Sequence, residues 1–330
     1  MLQFLPDGKT ILVGGVIHGL RLLDIESKTT RKVLLKQLSD TNLNTAIITD
    51  SFIGFSQLGT VKLWELDGTP LPGIELPKKI ARWSNIAAYS AKTALAAFGG
   101  DNGAIGIVDL AAGKVVKILT GHLGGITRLK FSSNGAHLYS SALDGVLKIW
   151  NTQNWNNVSI LSNKENEWLI YTPDGYFDAS PHGGEIIAMV NGFKAYGVDQ
   201  FAARNNRPDL ILERMGLGAP EQISHYQIQY QKRLKKLGLN EALLSDGLHV
   251  PEAKITRTLR KGKFLDIGFV LSDDTFRLKH YNIFVNNVPL FGPAGREVRG
   301  NTFAGEESVE LTAGKNRIEL SVMNEAGAES

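Results

Sequence analysis

The sequence has 330 residues, 43% of them hydrophobic and 21% charged, which is typical of a globular protein. The formal net charge is only +3 and the sequence has no long run of like charges, which argues against a nucleic-acid partner. No apolar stretch reaches the roughly 18 residues of a membrane helix. Residues 1–10 lack the apolar run of a secretory signal, and the absence of cysteine excludes disulfides, thiolate metal sites and a cysteine nucleophile within these residues.

The first half of the chain contains an internal repeat. A glycine-containing turn followed by an alternating apolar strand occurs at residues 19–23, 59–64, 103–108 and 145–150. The last residues of these segments are 41, 44 and 42 positions apart, which is the spacing of propeller blades. One blade covers only part of its apolar surface, so blades stack around an axis. The repeat therefore predicts a mainly β protein with a β-propeller.

Tight hairpin turns recur within these repeats. Residues 4–8, 131–135 and 171–175 each lead from an apolar strand into a turn that contains glycine. A fifth hairpin at residues 168–180 continues the series, and we therefore assign residues 1–200 to propeller blades. Because residues 2–5 already form the strand before the first turn, we expect the first unit to begin within a blade. This start suggests a fragment of a larger ring, although four units and a hairpin could also close a ring alone.

The fourth repeat has the most complete pattern. A Gly-His pair ends at His122, two serines follow, and an Asp-Gly turn precedes a strand that ends in Trp-Asn. This order resembles a WD repeat, a family in which such side chains form a hydrogen-bonded chain. The resemblance implies that they lock the blade and have no catalytic role. The residues of this structural lock are His122, Ser140 or its neighbour Ser141, Asp144 and Trp150. The repeats depart from the family's pattern at Leu23, Leu58, Val108 and Asn151.

A second resemblance follows the repeats. Residues 167–180 contain a Trp-bearing strand and a Pro-Asp-Gly-Tyr turn, Gln200-Phe201 follows, and residues 206–209 read Asn-Arg-Pro-Asp. This combination resembles the end of the propeller in bacterial proteins that join WD repeats to a caspase-like cysteine peptidase. The resemblance covers most of the chain and is most specific at residues 167–216. It implies a helical linker at residues 201–249, an Ig-like sandwich at residues 250–330, and a peptidase domain after them.

The linker segment has two helical patterns. Residues 210–215 are predicted to form a short helix with Asp209 as its N-cap and Gly216 as its end. A longer helix is predicted from Pro220 to Gly238. Its apolar stripe comprises Ile223, Tyr226, Tyr230, Leu234 and Leu237. The opposite face is expected to be a solvated basic face, with a membrane or nucleic-acid patch as the alternative, and carries Lys232, Arg233, Lys235 and Lys236.

From about residue 250 the pattern changes to short strands. They are predicted at residues 264–271, 281–285, 308–311 and 317–324, with turns at 286–287 and 313–316. So many short strands in this length indicate a small β-sandwich. The sequence of residues 284–289 and 314–318 resembles the Ig-like module of the same peptidases.

The sequence predicts no catalytic, cofactor-binding or metal site. Residues 8–10 read Gly-Lys-Thr but lack the earlier glycine and the following helix of a phosphate-binding loop, so we expect a hairpin turn. His182 and Glu185, with Asp178 nearby, could hold a metal, but no second His at helical spacing supports this. The carboxylate pairs at 273–274 and 306–307 are expected to lie in solvated loops.

Ligand contacts on a propeller face have weak candidates in this sequence. Arg82, Trp83, Arg128 and Trp155 lie near strand ends, although packing between blades is the expected role of the two tryptophans. A caspase-like reaction requires a thiolate and a histidine within hydrogen-bond reach, and the chain has no thiol. The activity of the similar peptidases is therefore not assigned to these residues.

Two functional hypotheses follow. The first is a noncatalytic sensor and scaffold region of a bacterial caspase-like peptidase in the cytoplasm, which binds a peptide or loop of a protein partner on a propeller face. The second is a self-sufficient WD-repeat scaffold that assembles partner proteins without any linked protease. Neither hypothesis includes a nucleic acid, a membrane or a cofactor.

Overall fold

A computed structural model describes residues 2–15, 19–36, 46–57, 59–78, 80, 86–244 and 248–330. The chain divides into two compact units, Met1–Leu161 and Ser162–Ser330. The predicted domain boundaries at residues 200 and 249 stay predictions. Three residues considered above, Leu58, Arg82 and Trp83, lie outside the described residues. No helix among the residues that are described combines the length and apolar character needed to cross a bilayer.

The first unit consists of successive antiparallel sheets whose strands follow one another in chain order. The first sheet contains β1 (Leu2–Phe4), β2 (Thr10–Gly15), β3 (Gly19–Asp24) and β4 (Thr30–Leu35). The second contains β5 (Ile47–Ile48), β6 (Phe52–Gln57), β7 (Thr60–Glu65) and β8 (Pro70–Glu75). The third contains β9 (Ile86–Ser90), β10 (Leu95–Gly99), β11 (Ile105–Asp109) and β12 (Lys114–Leu119). The same order recurs in β13 (Ile126–Phe131), β14 (His137–Ala142), β15 (Leu147–Asn151) and β16 (Asn157–Ser162).

These sheets, called blades 1 to 4 below, confirm the predicted mainly β fold of propeller type. Each repeated segment of the sequence, a glycine turn followed by an alternating strand, forms the third strand of its blade. Apolar side chains of successive blades pack together: Leu12 and Ile53 join blades 1 and 2, and Phe98 joins blade 3 to blade 2. Ile105 of blade 3 and Trp150 of blade 4 share a third cluster.

The second unit begins with two hairpins and continues with helices. The hairpins contain β17 (Trp168–Tyr171), β18 (Phe177–Ala179), β19 (Ala188–Asn191) and β20 (Lys194–Gly197). The helices are α1 (Ala202–Asn205), α2 (Pro208–Met215) and α3 (Pro220–Lys236). Short 3₁₀ turns occur at Gly183–Ile186, Val198–Phe201 and Glu241–Leu243. The hairpin predicted at residues 168–180 and both predicted helices are present.

Two details of the predicted linker are wrong. Helix α2 begins at Pro208, whose fixed backbone suits a first helical position, so Asp209 lies inside the helix and is not its N-cap. Asp209 is fully buried and accepts hydrogen bonds from the Arg207 guanidinium at 2.7 and 2.9 Å. Arg233 does not belong to a solvated basic face, because its side chain is half-buried and donates to the carbonyl oxygen of Asn206 at 2.5 Å.

The C-terminal part of the second unit is a two-sheet sandwich. One sheet has the order β21 (Glu252–Lys261), β22 (Phe264–Ser272) and β26 (Thr302–Glu310). In the other, β23 (Leu278–Val285) pairs with β24 (Val288–Pro289), β25 (Arg296–Glu297) and β27 (Ile318–Asn324). Phe269 of the first sheet and Tyr281 of the second meet in the core, with ring centroids 5.2 Å apart. Strand β21 is not among the predicted strands, because its side chains are mostly exposed and Arg257 interrupts the apolar alternation of Ala253, Ile255 and Leu259.

Candidate functional site on the fourth blade

The structure brings together the four residues assigned to the blade lock. His122 precedes β13, and its Nδ1 lies 3.0 Å from Asp144 Oδ2 in the turn between β14 and β15. Its Nε2 lies 2.8 Å from Oγ of Ser140 on β14. Trp150 Nε1 donates to the same hydroxyl at 2.8 Å. Of the two serines left open by the sequence, Ser140 takes this position, whereas Ser141 Oγ lies 3.0 Å from Thr127 Oγ1.

Burial sets the protonation of this chain of side chains. It lowers the pKa of His122, more than the hydrogen bond and charge of Asp144 raise it, so the ring is neutral at pH 7. A carboxylate can only accept, which places the ring proton on Nδ1 and makes Nε2 the acceptor of the Ser140 hydroxyl. Burial favours a higher pKa for Asp144, but hydrogen bonds from the N–H groups of Leu123 and Val146 and from His122 outweigh it and lower this pKa.

Every polar side-chain atom of the lock thus has a hydrogen-bond partner within the blade. Each of these side chains is hydrogen-bonded to a neighbouring group of the fold, which agrees with a structural role. That the four residues lock the blade stays a prediction, which stability measurements test. Blades 2 and 3 carry Phe55 and Phe98 at the strand position that Ser140 occupies in blade 4, since the three residues pair with equivalent residues of the third strand. Those blades bury an aromatic ring where blade 4 has the polar chain.

Lys148 is a further buried polar residue that the sequence did not reveal. It is nearly inaccessible, and its Nζ donates to Ser159 Oγ at 2.5 Å. Burial lowers the pKa of Lys148, and the charge of Asp144 opposes this shift. A lysine on an alternating strand is normally expected to face solvent, so sequence alone gives no signal for this burial.

The loops beside the lock display two leucines to solvent. Leu123 is 93% exposed and Leu143 is 79% exposed. The backbone fixes both: the N–H of Leu123 donates to Asp144 Oδ2 at 2.8 Å, and the N–H of Leu143 donates to the carbonyl of Gly125 at 2.9 Å. A Cβ added to Gly124 would lie 3.1 Å from Cβ of Leu143, which shows how closely the two loops approach. We call Leu123 and Leu143 the leucine pair.

Among the described residues, the others proposed for contacts or metal binding do not gather at this site. Arg128 is exposed on β13 and donates to the carbonyl of Thr127 at 3.2 Å, and Trp155 packs against the core between blades 3 and 4. In the second unit, His182 Nδ1 lies 3.1 Å from Glu185 Oε1, and both side chains are well exposed.

One group with metal-ligand chemistry lies in the sandwich. His249, Asp273 and Asp274 place one ligand atom each within 4.8 Å of one another. Asp273 is buried, which corrects the expectation of a solvated loop. Its Oδ1 accepts from His249 Nε2 at 2.9 Å and from the N–H groups of Thr275 and Phe276 at 2.8 and 2.7 Å. Because these hydrogen bonds hold the turn that follows Asp273, we assign its carboxylate a structural role in this turn.

The second carboxylate pair, Glu306 and Glu307, lies on strand β26 and not in the expected solvated loop. Glu306 Oε1 accepts from Arg257 at 2.9 Å on the exposed surface of the sandwich. Glu307 accepts from the buried Tyr281 hydroxyl at 2.8 Å and from the Arg296 guanidinium. Each carboxylate therefore has a partner in the fold.

Comparison with known proteins identifies a WD repeat in this chain. Residues 113–151 match the family model "WD domain, G-beta repeat", and they span β12 to β15. The chain is 26% identical over 147 residues to the U3 small nucleolar RNA-associated protein 21 homolog of Schizosaccharomyces pombe, covering 44% of this chain and 15% of that protein. It is 25% identical over 168 residues to apoptotic protease-activating factor 1 of Mus musculus, covering 49% of this chain and 13% of that protein. The matches thus span a small part of either relative.

Proposed function

We propose that this chain is a noncatalytic protein-interaction region and that a protein partner binds the leucine pair on blade 4. WD repeats are typical of protein-interaction scaffolds, and the repeat at residues 113–151 contains both leucines. The observation that carries the proposal is their exposure of 93% and 79% on loops held by hydrogen bonds to Asp144 and Gly125.

The physical argument concerns what rigid, exposed apolar side chains can do. Two neighbouring leucines in water gain free energy when a partner covers them, about 1.5–3 kcal/mol for each fully buried side chain. Since the lock and the backbone hydrogen bonds already hold their loops, binding costs little ordering entropy. An aliphatic side chain of this kind acts as an anchor when it fills a pocket on the partner.

We further propose that the chain serves as a sensor and scaffold region for a caspase-like peptidase in the bacterial cytoplasm. The support is the resemblance at residues 167–216, and residues of this segment contact one another within the second unit. Asn205 Nδ2 donates to the carbonyl of Gly175 at 3.0 Å, and the N–H of Arg207 donates to the carbonyl of Phe177 at 2.9 Å. The name of the mouse relative refers to protease activation, which is the same kind of role. Because these 330 residues include no cysteine, the peptidase thiolate of this proposal belongs to residues outside this sequence.

The test compares two variants of the full chain as bait. Leu123→Asp combined with Leu143→Asp places charges on the leucine pair, whereas Val116→Asp alters another exposed apolar side chain, on β12. A partner captured by the wild-type chain and by Val116→Asp, but lost with the double variant, is then purified and its dissociation constant measured. Retention of every partner by a folded double variant would contradict the proposed surface. A caspase-like domain encoded in the same reading frame supports the peptidase role, and its absence favours the self-sufficient scaffold.

A further inference from the structure

The second unit contains a cavity between its helices and its sandwich. It has a volume of about 490 Å³, within the range of small-molecule sites. Ala202 and Ala203 of α1 line one wall with Leu237, which follows α3, and Phe284 of β23 and Met323 of β27 line the other. Most of the lining is therefore apolar. A cavity of this kind binds ligands by covering apolar surface, and its few polar groups decide which ligand fits.

Arg233 is the cation in this lining. Its Nε donates to the carbonyl of Ala203 at 3.2 Å, Nη2 donates to the carbonyl of Asn206 at 2.5 Å, and Nη1 lies 3.5 Å from Asn206 Oδ1. A guanidinium has five N–H groups, so these bonds leave two for another acceptor. No carboxylate of the described residues forms an ion pair with Arg233. Burial is the main cause that lowers the pKa of Arg233, and the like charge of Arg207 adds to it, whereas Tyr230 and Asp209 oppose the shift.

The other polar groups of the lining already have partners within the fold. His280 Nε2 lies 2.6 Å from the carbonyl oxygen of Leu237. The Asn282 side chain donates to the carbonyl of Gly292 at 2.7 Å and accepts from two backbone N–H groups. Ser321 Oγ donates to Oε1 of Glu329 at 2.7 Å. Glu329 is the one carboxylate among the described lining residues, and it forms no ion pair with Arg233.

We infer that this cavity binds an apolar ligand through a carboxylate that pairs with Arg233. A carboxylate matches the planar guanidinium fork and supplies the charge that the carbonyl partners of Arg233 lack. An apolar body fills the space lined by alanine, leucine, phenylalanine and methionine. Glu329 repels the ligand's charge and so disfavours a second negative group. Two sources share this chemistry: a small free carboxylic acid and the C-terminus of a peptide that ends in an apolar residue.

The test uses matched probes that differ in charge. 3-Phenylpropanoate, its neutral amide and the cation 3-phenylpropylammonium are titrated into the full chain, followed by NMR at the Nε–H resonance of Arg233. We expect the acid to bind at least about tenfold more tightly than the amide, as charge-assisted hydrogen bonds require, and the cation not to bind. Equal affinity of acid and amide, or an Arg233 resonance that does not move, would overturn the inference.

Two variants, neither of which alters Arg233, test whether the probe binds in this cavity. Ala294→Phe fills the space, since Ala294 lines it, and should weaken binding of the acid at least about tenfold. Its control is Ala313→Phe, in an exposed turn of the same sandwich, which should leave the affinity unchanged. Glu329→Gln removes the repelling charge and should tighten binding. Unchanged affinity in Ala294→Phe, or weaker binding in Glu329→Gln, would contradict the assignment.

A further pair of probes separates the two sources. Acetyl-Ala-Phe is titrated with a free C-terminal carboxylate and as its C-terminal amide. Tighter binding of this acid than of 3-phenylpropanoate identifies a peptide C-terminus as the ligand, and binding of 3-phenylpropanoate alone identifies a small free acid. Failure of both acids would contradict the inference while leaving the proposed partner surface on blade 4 unaffected.

Discussion

Replacement of Trp150 by alanine tests how blades 3 and 4 are held together. The side chain is 2% exposed and packs in the cluster shared by the two blades. Loss of a buried Trp costs about 3–5 kcal/mol through lost transfer energy and the cavity left behind. Its Nε1 also donates to Ser140 Oγ at 2.8 Å, and loss of this bond adds about 1 kcal/mol. We therefore expect Trp150→Ala to lower the free energy of unfolding by about 4–6 kcal/mol.

Two further variants separate the packing from the hydrogen bond. Trp150→Phe keeps most of the apolar volume but removes the N–H donor, so its cost should be nearer 1–2 kcal/mol. Phe4→Ala is the control for loss of an aromatic ring, because Phe4 is 58% exposed. It should cost well under the roughly 3 kcal/mol expected for a buried ring.

The assay is urea denaturation followed by far-UV circular dichroism, which does not depend on tryptophan emission. The two compact units can unfold separately, so the curves are fitted with two transitions when the data require them. Trp150→Ala should shift one transition to lower urea and leave the slope of that transition unchanged. A wild-type midpoint in Trp150→Ala, or an equal loss in Phe4→Ala, would refute the packing of Trp150 between blades.

Three other outcomes follow from buried polar groups. Burial lowers the pKa of His122, so the unfolded chain binds a proton there more readily than the folded chain, and stability falls as pH decreases below about 6.5. His122→Gln should therefore weaken the pH dependence of the denaturation midpoint. An equally steep pH dependence in the variant would contradict this. Asp273→Ala should lower the free energy of unfolding by about 1–3 kcal/mol because it leaves several N–H groups unpaired. Asp274 is exposed, so Asp274→Ala should lower it by under about 0.5 kcal/mol, and equal losses would argue against the role of Asp273 in the turn. Lys148→Met removes a buried charge and should leave the melting temperature unchanged or higher, so a clear decrease would show that the ammonium stabilises blade 4.

The blades were predictable because local rules determine them. Glycine turns and alternating apolar strands set the period of the repeat, and each repeated strand forms the third strand of its sheet. The apolar stripe of α3 was predictable for the same reason, since Tyr230 and Leu234 are buried and the residues between them are mostly exposed. In both cases the spacing of residues along one element decides which side chains are covered.

Other features depend on contacts that no local pattern contains. Arg207 binds Asp209 and so turns an expected helix cap into a buried ion pair. Arg233 follows the basic pattern of its helix but lies beside the carbonyl of Asn206, 27 residues earlier in the chain. Lys148 is buried because the neighbouring strand supplies Ser159. Sequence spacing identifies the face of an element, whereas the partner on that face comes from another part of the chain.

The leucine pair shows the same limit at the candidate site. Leu123 and Leu143 are 20 positions apart, and both resemble ordinary core residues in the sequence. Their loops meet because Asp144 accepts a hydrogen bond from the N–H of Leu123. That bond turns two scattered leucines into one exposed apolar surface.

Hydrogen exchange of the complex with a purified partner tests the proposed function most directly. Amide protection is measured by mass spectrometry in the free chain and in the complex. We expect partner binding to add protection at residues 121–125 and 143–146, the loops of the leucine pair, and to leave the sandwich core unchanged. Added protection confined to other parts of the chain, with these two loops exchanging as in the free protein, would contradict a partner site on blade 4.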